Sequence, residues 1–207
     1  MNTSSLTHTH LFVPGTDPTR APLLLLHGTG GNEQSLLPLA KKLVPGAPLL
    51  SVRGQVLEHG MPRFFRRFAE GVFDLPDVER RTEDLADFIV AAAERYQLNL
   101  SRLTALGYSN GANMAAALLL RRPDVLGAAA LLRAMVVLEP GSAPDLRGKR
   151  ILMLNGAHDP IVPNDHPERL AAMFRSGGAT VDARLAEAGH DLTTAEFAVV
   201  QRFLSAG

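Results

Sequence analysis

Short apolar runs bounded by turn residues recur along the chain. They lie at residues 23–26, 49–52, 103–106, 128–132, 151–154 and 181–185, and their length and composition are typical of β-strands. Most of these runs lack the alternation of polar and apolar residues that marks a half-exposed strand. Continuous apolar runs indicate strands covered on both faces, as in a parallel sheet flanked by helices.

The segments between these runs have helical periodicity. Over residues 78–96 the apolar positions recur at steps of three and four, with charged residues on the opposite face. Near the C-terminus, Thr193 and Glu196 have capping-box spacing and precede an apolar stripe, which predicts a final helix. Because strands and helices alternate to the end, the sequence predicts an α/β fold with a mostly parallel central sheet and helices on both faces.

Length and composition fit one domain, because the chain has 207 residues, 46% of them hydrophobic, and contains no fixed repeat or linker. We therefore expect a single domain over residues 1–207 with one active site. Acidic and basic residues balance at 21 each, so nucleic acid is not an expected partner. Cysteine is absent, which excludes disulfides, thiolate metal ligands and a cysteine nucleophile.

Neither the first residues of the chain nor its apolar runs predict contact with a membrane. The first residues carry no basic residue before a hydrophobic stretch and do not resemble a secretory signal. The longest apolar run, 126–138, is interrupted by Arg133 and is shorter than the roughly 20 residues of a membrane helix. We expect a cytoplasmic protein without a membrane partner, either alone or as a homodimer.

The segment Gly107-Tyr108-Ser109-Asn110-Gly111 follows a predicted strand and precedes an apolar helix. This is the context of a nucleophile elbow, in which a serine lies in a strained turn between glycines that allow close backbone approach. A five-residue glycine-softened turn also arises by chance. The flanking strand and helix favour Ser109 as a nucleophile, with the helix N-terminus directed towards developing negative charge.

A glycine-rich loop follows the first predicted strand, in His27-Gly28-Thr29-Gly30-Gly31. Such a loop lets a backbone amide approach a substrate oxygen, and we assign the oxyanion hole to the amides of Thr29 and Asn110. The spacing matches neither a dinucleotide-binding fingerprint nor a P-loop, which leaves a nucleotide site weakly supported. His27 is better interpreted as a structural histidine beneath the loop.

In proteins with a nucleophile elbow on an α/β sheet, the acid and the base of the triad come after the nucleophile along the chain. Asp159 lies just past the strand at 151–154, whereas Asp165 has the position of a helix cap and Asp145 precedes the strand. His190 follows the last strand, at the same edge of the sheet as Ser109. His158 and His166 are interpreted as solvated loop residues. These histidines and carboxylates lack a recognised metal-ligand spacing, so neither a metal nor a cofactor is expected.

Five motifs in order resemble the phospholipase/carboxylesterase family of small α/β hydrolases. They are His27-Gly-Thr-Gly-Gly-Asn-Glu33, Arg53-Gly54, Gly107-Tyr-Ser-Asn-Gly-Ala-Asn-Met114, Gly156-Ala-His-Asp-Pro-Ile-Val-Pro163 and Gly189-His190. The glycine loop and elbow are most similar to the bacterial branch described as hydroquinone-responsive or copper-inducible hydrolases. The resemblance implies the α/β-hydrolase fold and the triad Ser109, Asp159 and His190.

Two departures from the family pattern bear on the substrate. Acyl-protein thioesterases typically have Gln after the serine and Leu-Ser-Gly after the next strand, where this chain has Asn110 and Arg133-Ala134-Met135. Small carboxylic esters are therefore the expected substrates, with thioesterase or lysophospholipase-like activity as the alternative. A binding protein without turnover and a carbon–carbon or dienelactone hydrolase are the other classes considered.

A phenylalanine- and arginine-rich segment between Arg53 and Asp74 is the candidate for shaping the pocket. Its phenylalanines, among them Phe64 and Phe65, either form a wall or lid over the substrate or pack on the core from an amphipathic helix. Arg53 either attracts an anionic substrate group or pairs with a carboxylate. Met135 either lines the pocket or fills the core.

Overall fold

The computed structural model describes residues 6–206, and a seven-stranded sheet runs through it. In chain order the strands are β1 (His10–Val13), β2 (Leu23–Leu26), β3 (Leu49–Val52), β4 (Val56–Glu58), β5 (Met61–Arg63), β6 (Arg67–Ala69), β7 (Val72–Phe73), β8 (Thr104–Tyr108), β9 (Ala128–Leu132), β10 (Arg150–Gly156) and β11 (Thr180–Ala186). The sheet has the order β1-β3-β2-β8-β9-β10-β11. Only β1 pairs antiparallel with its neighbour; the other pairs in this sheet are parallel.

Five α-helices cover the two faces of the sheet in the described part of the chain. They are α1 (Leu37–Leu43), α2 (Leu75–Tyr96), α3 (Asn110–Arg121), α4 (His166–Ser176) and α5 (Thr194–Ser205). Helices α2, α3 and α4 pack into one apolar core, and α1 and α5 pack into a second core on the opposite face. The sequence of β2 does not alternate between polar and apolar residues because both faces of the strand are buried. Leu24 and Leu26 pack into the first core, and Leu23 and Leu25 pack into the second.

The predicted α/β fold is confirmed, and all six predicted strands are present with their ends shifted by a few residues at most. Helix α2 begins before the periodic segment because Asp74 caps it, accepting a hydrogen bond from the Asp77 amide. Helix α5 has the predicted capping box of Thr193 and Glu196. Strand β1 and helix α1 were not predicted, since each is short and carries polar residues.

The phenylalanine- and arginine-rich segment, interpreted either as a wall or lid over the substrate or as an amphipathic helix, forms two β-hairpins, β4-β5 and β6-β7. His59 and Gly60 both have positive φ, of 50° and 81°, which is the conformation of a two-residue hairpin turn. Gly71 provides a positive φ of 75° between β6 and β7. The helical interpretation was wrong because these turn residues interrupt it. We call residues 56–73 the hairpin segment.

None of the helices within residues 6–206 combines the length and the apolar character needed to cross a membrane.

Candidate active site

The carboxyl edge of the parallel sheet brings together the three side chains predicted as a triad. Ser109 directly follows β8, Asp159 lies in the loop after β10, and His190 lies in the loop after β11. Parallel neighbouring strands end at the same edge, so residues far apart in sequence meet there. The rivals Asp145 and Asp165 lie elsewhere, each in an exposed ion pair with an arginine.

Ser109 lies in a sharp turn between β8 and α3, with φ 51° and ψ −114°, a conformation that is strained for a residue with a side chain. The flanking glycines permit this turn. A Cβ atom on Gly107 would lie 2.6 Å from the Gly111 carbonyl oxygen, and one on Gly111 would lie 2.0 Å from the Leu26 carbonyl oxygen. Helix α3 therefore approaches the end of β2 so closely that only glycine fits.

His190 bridges the other two side chains. The Ser109 hydroxyl donates to His190 Nε2 over 2.9 Å, and His190 Nδ1 donates to Asp159 Oδ2 over 2.8 Å. The side chain of Asp159 is fully buried, whereas that of His190 is 18% exposed. The other Asp159 oxygen accepts the amides of Ile161 and Val162 over 2.8 and 3.2 Å. An imidazole held in this tautomer can accept the serine proton.

Thr29 and Asn110 line the same pocket as Ser109, and the hairpin segment holds both residues. The Arg63 guanidinium donates to Thr29 Oγ1 over 2.6 Å, and the Phe64 amide donates to Asn110 Oδ1 over 2.8 Å. The next amide in the glycine loop, that of Gly30, donates to the Pro62 carbonyl over 3.0 Å. These contacts fix the loop beside the first turn of α3, where backbone amides are available to an anion.

The pocket around Ser109 has a volume of about 310 Å³ and a mixed polar and apolar wall. Besides Ser109, His190, Thr29 and Asn110, its wall contains Arg63, Arg67, Glu70, Gly71, Phe73, Tyr108, Asn113, Met135 and Ile161. Met135 thus lines the pocket, and its amide donates to Asn113 Oδ1 over 2.9 Å. The guanidinium of Arg63 is almost completely buried, and that burial lowers its pKa to about 10.

Phe64 and Phe65 do not line the pocket, so they are not substrate-binding residues; of the two interpretations, packing on the core agrees with the structure, although not from a helix. Both rings are buried in the core, with exposed fractions of 3% and 0%. The Phe64 ring packs against His27 at a centroid distance of 4.9 Å, and the Phe65 ring meets Phe73 edge-on at 5.6 Å. Phe73 is the phenylalanine of this segment that the pocket wall contains.

Arg53 also lies outside the pocket wall, so of its two interpretations the substrate-binding one is corrected and the pairing with a carboxylate agrees with the structure. Its guanidinium forms a two-point ion pair with Glu33, in which Nη2 donates to Oε1 over 2.6 Å and Nε donates to Oε2. These hydrogen bonds lower the pKa of the Glu33 carboxyl. The ion pair accounts for both Arg53 and Glu33 near the glycine loop, so neither side chain needs a role in substrate recognition.

His27 connects two loops, as expected for a structural histidine. Its Nδ1 donates to the Gly28 carbonyl over 2.7 Å, and its Nε2 accepts the Gly54 amide over 3.0 Å. Burial lowers the pKa of His27, which keeps the ring neutral and able to accept that amide.

Two further interpretations of side chains near Asp159 need correction, while a third agrees with the structure. His166 is not a solvated loop residue, because it begins α4 and its Nδ1 accepts the Val136 amide over 3.2 Å. Asp165 has the N-cap position but makes no capping bond; it accepts from Arg169 over 2.8 Å instead. His158 is solvated and pairs with Glu187. No cluster of three or more His, Asp or Glu side chains within residues 6–206 is placed to hold a metal ion.

Two residues that the sequence reasoning missed hold the loop around His190. The Tyr108 hydroxyl donates to the His190 carbonyl over 3.1 Å. Arg133, noted as an interruption of an apolar run and as part of a departure from the family pattern, is fully buried and donates to the carbonyls of Gly189 and Asp191. A lone arginine at the end of a strand that is otherwise apolar was the available signal.

A mostly parallel α/β sheet with a serine elbow at its carboxyl edge defines the class of α/β hydrolases, and comparisons with known proteins place the chain in that class. The Bacillus subtilis protein MhqD, whose name describes it as a hydrolase, is 46% identical over 187 residues, which cover 90% of this chain and 92% of MhqD. No family model matches the chain.

Two solved carboxylesterase structures are similar over nearly their whole length. The Bacillus cereus carboxylesterase is 42% identical with a TM-score of 0.93, covering 97% of this chain and 94% of its own. The carboxylesterase from Mesorhizobium loti is 36% identical with a TM-score of 0.91, covering 99% and 97%. The chain belongs to the family of small bacterial carboxylesterases and phospholipases with the α/β-hydrolase fold, and it is a carboxylesterase-like hydrolase.

Proposed function

We propose that the protein cleaves small carboxylic esters through a Ser109-His190-Asp159 triad and an acyl-enzyme intermediate. The observation that carries this proposal is the continuous hydrogen-bonded path from the Ser109 hydroxyl through His190 to a buried Asp159, over distances of 2.9 and 2.8 Å. This path ends at a pocket wall, so an ester can reach the hydroxyl.

The first half of the reaction forms the acyl-enzyme. His190 Nε2 takes the proton of the Ser109 hydroxyl while Oγ attacks the ester carbonyl carbon, and the carbonyl electron pair moves onto its oxygen. Asp159 keeps Nδ1 protonated and stabilises the charged imidazolium. When the tetrahedral intermediate collapses, the leaving alkoxide takes the proton from His190 and departs as an alcohol.

The second half releases the acid. Water loses a proton to His190 and attacks the acyl carbon, and collapse of this intermediate returns the proton to Ser109 Oγ. In both halves the amides of Thr29 and Asn110 hold the negative oxygen. The position of Asn110 at the start of α3 adds the positive end of a helix dipole to its amide.

Small esters are favoured over long-chain substrates by the size and character of the site. The pocket volume of about 310 Å³ is at the lower end of the range of roughly 300–1,000 Å³ for small-molecule sites. Polar and charged side chains, including Arg63 and Asn113, make up much of its wall. A short acyl group and a modest alcohol fit such a pocket better than an extended lipid chain.

A substrate panel tests this function. Aryl esters with acyl groups from acetyl to decanoyl, matched thioesters and a lysophospholipid would be assayed with the wild type and the Ser109→Ala variant. We expect the highest kcat/KM for short oxygen esters and a loss of about 10⁴-fold or more in the variant. Equal turnover by Ser109→Ala would rule out the proposed mechanism, and a preference for thioesters or the lysolipid would replace the substrate assignment.

A further inference from the structure

Arg133 has an unusual position for an arginine. It directly follows β9, its backbone φ is 61°, and its side chain is the largest of those that are fully buried within residues 6–206. Its own amide donates to the Leu154 carbonyl over 2.8 Å, which ties the end of β9 to β10. The positive φ of a non-glycine residue and the burial of its charge each lower the stability of the folded state. We therefore expect Arg133 to have a role that compensates for this cost.

The guanidinium of Arg133 uses all five of its N–H donors. Nε donates to the Gly189 carbonyl over 2.9 Å and Nη2 to the Asp191 carbonyl over 2.6 Å. Nη1 donates to the Leu154 carbonyl over 3.2 Å, and two further bonds of 2.7 and 2.9 Å reach the Glu196 carboxylate. The first two acceptors are the residues on either side of His190. The planar guanidinium therefore holds the backbone on both sides of His190.

Glu196, which lies in the first turn of α5, joins Arg133 to that helix and so completes the set of hydrogen bonds around His190. Its Oε2 accepts the Thr193 amide over 2.8 Å and the Thr193 hydroxyl over 3.0 Å, which closes the capping box. Burial acts to raise the pKa of Glu196, yet the hydrogen bonds from Arg133 and Thr193 hold that pKa below its usual value. The Glu196 carboxyl is therefore ionised, and residues 189–196 are held at both ends by these hydrogen bonds.

We propose that Arg133 is the positioning residue for His190, holding the loop so that Nε2 faces Ser109. This inference rests on the proposed triad chemistry. Arg133 acts through the loop and lies outside the pocket wall. Stability alone is a weak reason for such a pair, because buried ion pairs are often no more stabilising than apolar residues of the same volume. The benefit is geometric, since small displacements of a reacting group cost large factors in rate.

Four variants test the proposal. Arg133→Lys supplies fewer donors without the planar fork, and Arg133→Met with Glu196→Leu replaces the whole ion pair by apolar groups. Arg122→Met is the matched control, because Arg122 forms ion pairs with Glu83, Asp87 and Asp124 at the far end of α3. Glu196→Gln keeps the side-chain shape and covers the case in which the Arg133 variants do not fold.

The measurements are the rate at which a fluorophosphonate labels Ser109, kcat and KM for an aryl acetate, and the melting temperature. We expect about 100-fold lower labelling rate and kcat in the double variant, a smaller loss in Arg133→Lys and about 10-fold in Glu196→Gln. KM should stay within about threefold in all of them, and Arg122→Met should match the wild type.

The two possible failures are distinguishable. Folded Arg133 variants that label Ser109 at the wild-type rate would overturn the positioning role, as would an unaffected Glu196→Gln variant if the Arg133 variants do not fold. A loss of rate only in proportion to the loss of melting temperature would assign Arg133 to stability. A wild-type protein that neither labels at Ser109 nor hydrolyses esters would instead remove the proposed function.

Discussion

The carboxyl edge of the sheet and the hairpin segment both line the pocket around Ser109, and they differ in how firmly each is held. The edge carries Ser109 after β8, which is buried on both faces of the sheet, and His190 after the exposed edge strand β11, where Arg133 holds the loop. The hairpin segment consists of short strands whose large apolar side chains reach solvent, with Leu57 70% and Phe68 76% exposed. Reacting atoms need fixed geometry, so we expect the edge to perform the chemistry.

The hairpin segment is nevertheless anchored where it meets the edge. Arg63 donates to Thr29, and the Phe64 amide donates to Asn110. Two residues after Phe64, the Arg66 amide donates to the buried Asp77 carboxylate of α2 over 2.8 Å. On either side of these anchors, the turns at Gly60 and Gly71 have nothing within 4 Å of an added Cβ. We therefore expect substitutions near the anchors at residues 63–66 to lower the stability of the fold, and substitutions at the tips of the two hairpins to change substrate selectivity.

The largest expected effect is on the chemistry of the edge. Asp159→Asn should lower kcat by about 10³- to 10⁴-fold, because a neutral amide no longer stabilises the imidazolium and favours the wrong tautomer of His190. Steady-state kinetics with an aryl acetate would measure the loss. Asp165→Asn is the matched control, since Asp165 is exposed and makes no capping bond. A near-normal Asp159→Asn enzyme would contradict the assignment of the acid.

Within the hairpin segment, the buried residue Phe65, which lies between the anchors Phe64 and Arg66, should matter most for stability. Phe65→Ala should lower the free energy of unfolding by about 3–5 kcal/mol, because the ring is fully buried and the cavity would not close. Urea denaturation followed by circular dichroism would measure the change. An unchanged stability would mean that the segment is not held by its core contacts.

At the edge, the close approach of α3 to β2 makes Gly111 sensitive. Gly111→Ala should cost about 3 kcal/mol, because its Cβ would lie 2.0 Å from a backbone carbonyl oxygen that cannot move without shifting β2. Gly141→Ala is the control, as an added Cβ there meets nothing within 4 Å. Equal stability of the two variants in urea denaturation would show that the elbow tolerates displacement.

The tips of the hairpin segment should affect selectivity with little effect on stability. Glu70→Ala should shift the preference among acyl groups by a few-fold, because Glu70 lies in the turn between β6 and β7 and is part of the pocket wall. It should leave the melting temperature nearly unchanged, because the Glu70 side chain is exposed. Ratios of kcat/KM across the ester panel would reveal the shift. An unchanged ratio would assign selectivity to the edge and to Met135.

The smallest expected effect is on the pH dependence of the stability that the Arg133–Glu196 pair contributes near His190. The hydrogen bonds that lower the pKa of Glu196 stabilise the folded state when the pH is above the ordinary glutamate pKa of about 4.3. That contribution is lost as the pH falls through the lower pKa of the folded state. Urea denaturation at pH 7, 5 and 4 should therefore show a difference between wild type and Glu196→Gln that shrinks at the lowest pH. A constant difference would contradict the pairing.

The sequence predicts the edge better than the hairpin segment, for physical reasons. Apolar runs such as residues 23–26 and the glycines around Ser109 are local signals of buried strands and of a strained turn, and the order of loops brings Asp159 and His190 to the same edge. The phenylalanines of the hairpin segment fit a helix as well as strands. Only the His59-Gly60 turn and the contacts of Phe64 and Phe65 with the core decide between them.

Long-range pairing explains the other misses. Arg53 looks like a ligand-binding residue until its distance to Glu33 is known, and Arg133 looks like an interruption until Glu196 lies beside it. His166 looks solvated because its partner, the Val136 amide, lies 30 residues earlier. Each of these contacts depends on tertiary structure that no local pattern contains.

The central claim is that Ser109 is the nucleophile, and covalent labelling tests it most directly. The wild-type protein would be treated with a fluorophosphonate, digested and mapped by mass spectrometry, with Ser109→Ala and His190→Ala treated in parallel. We predict one adduct, on Ser109, with slow labelling in His190→Ala and none in Ser109→Ala. An adduct on another residue, or no adduct on a folded wild-type protein, would contradict the account.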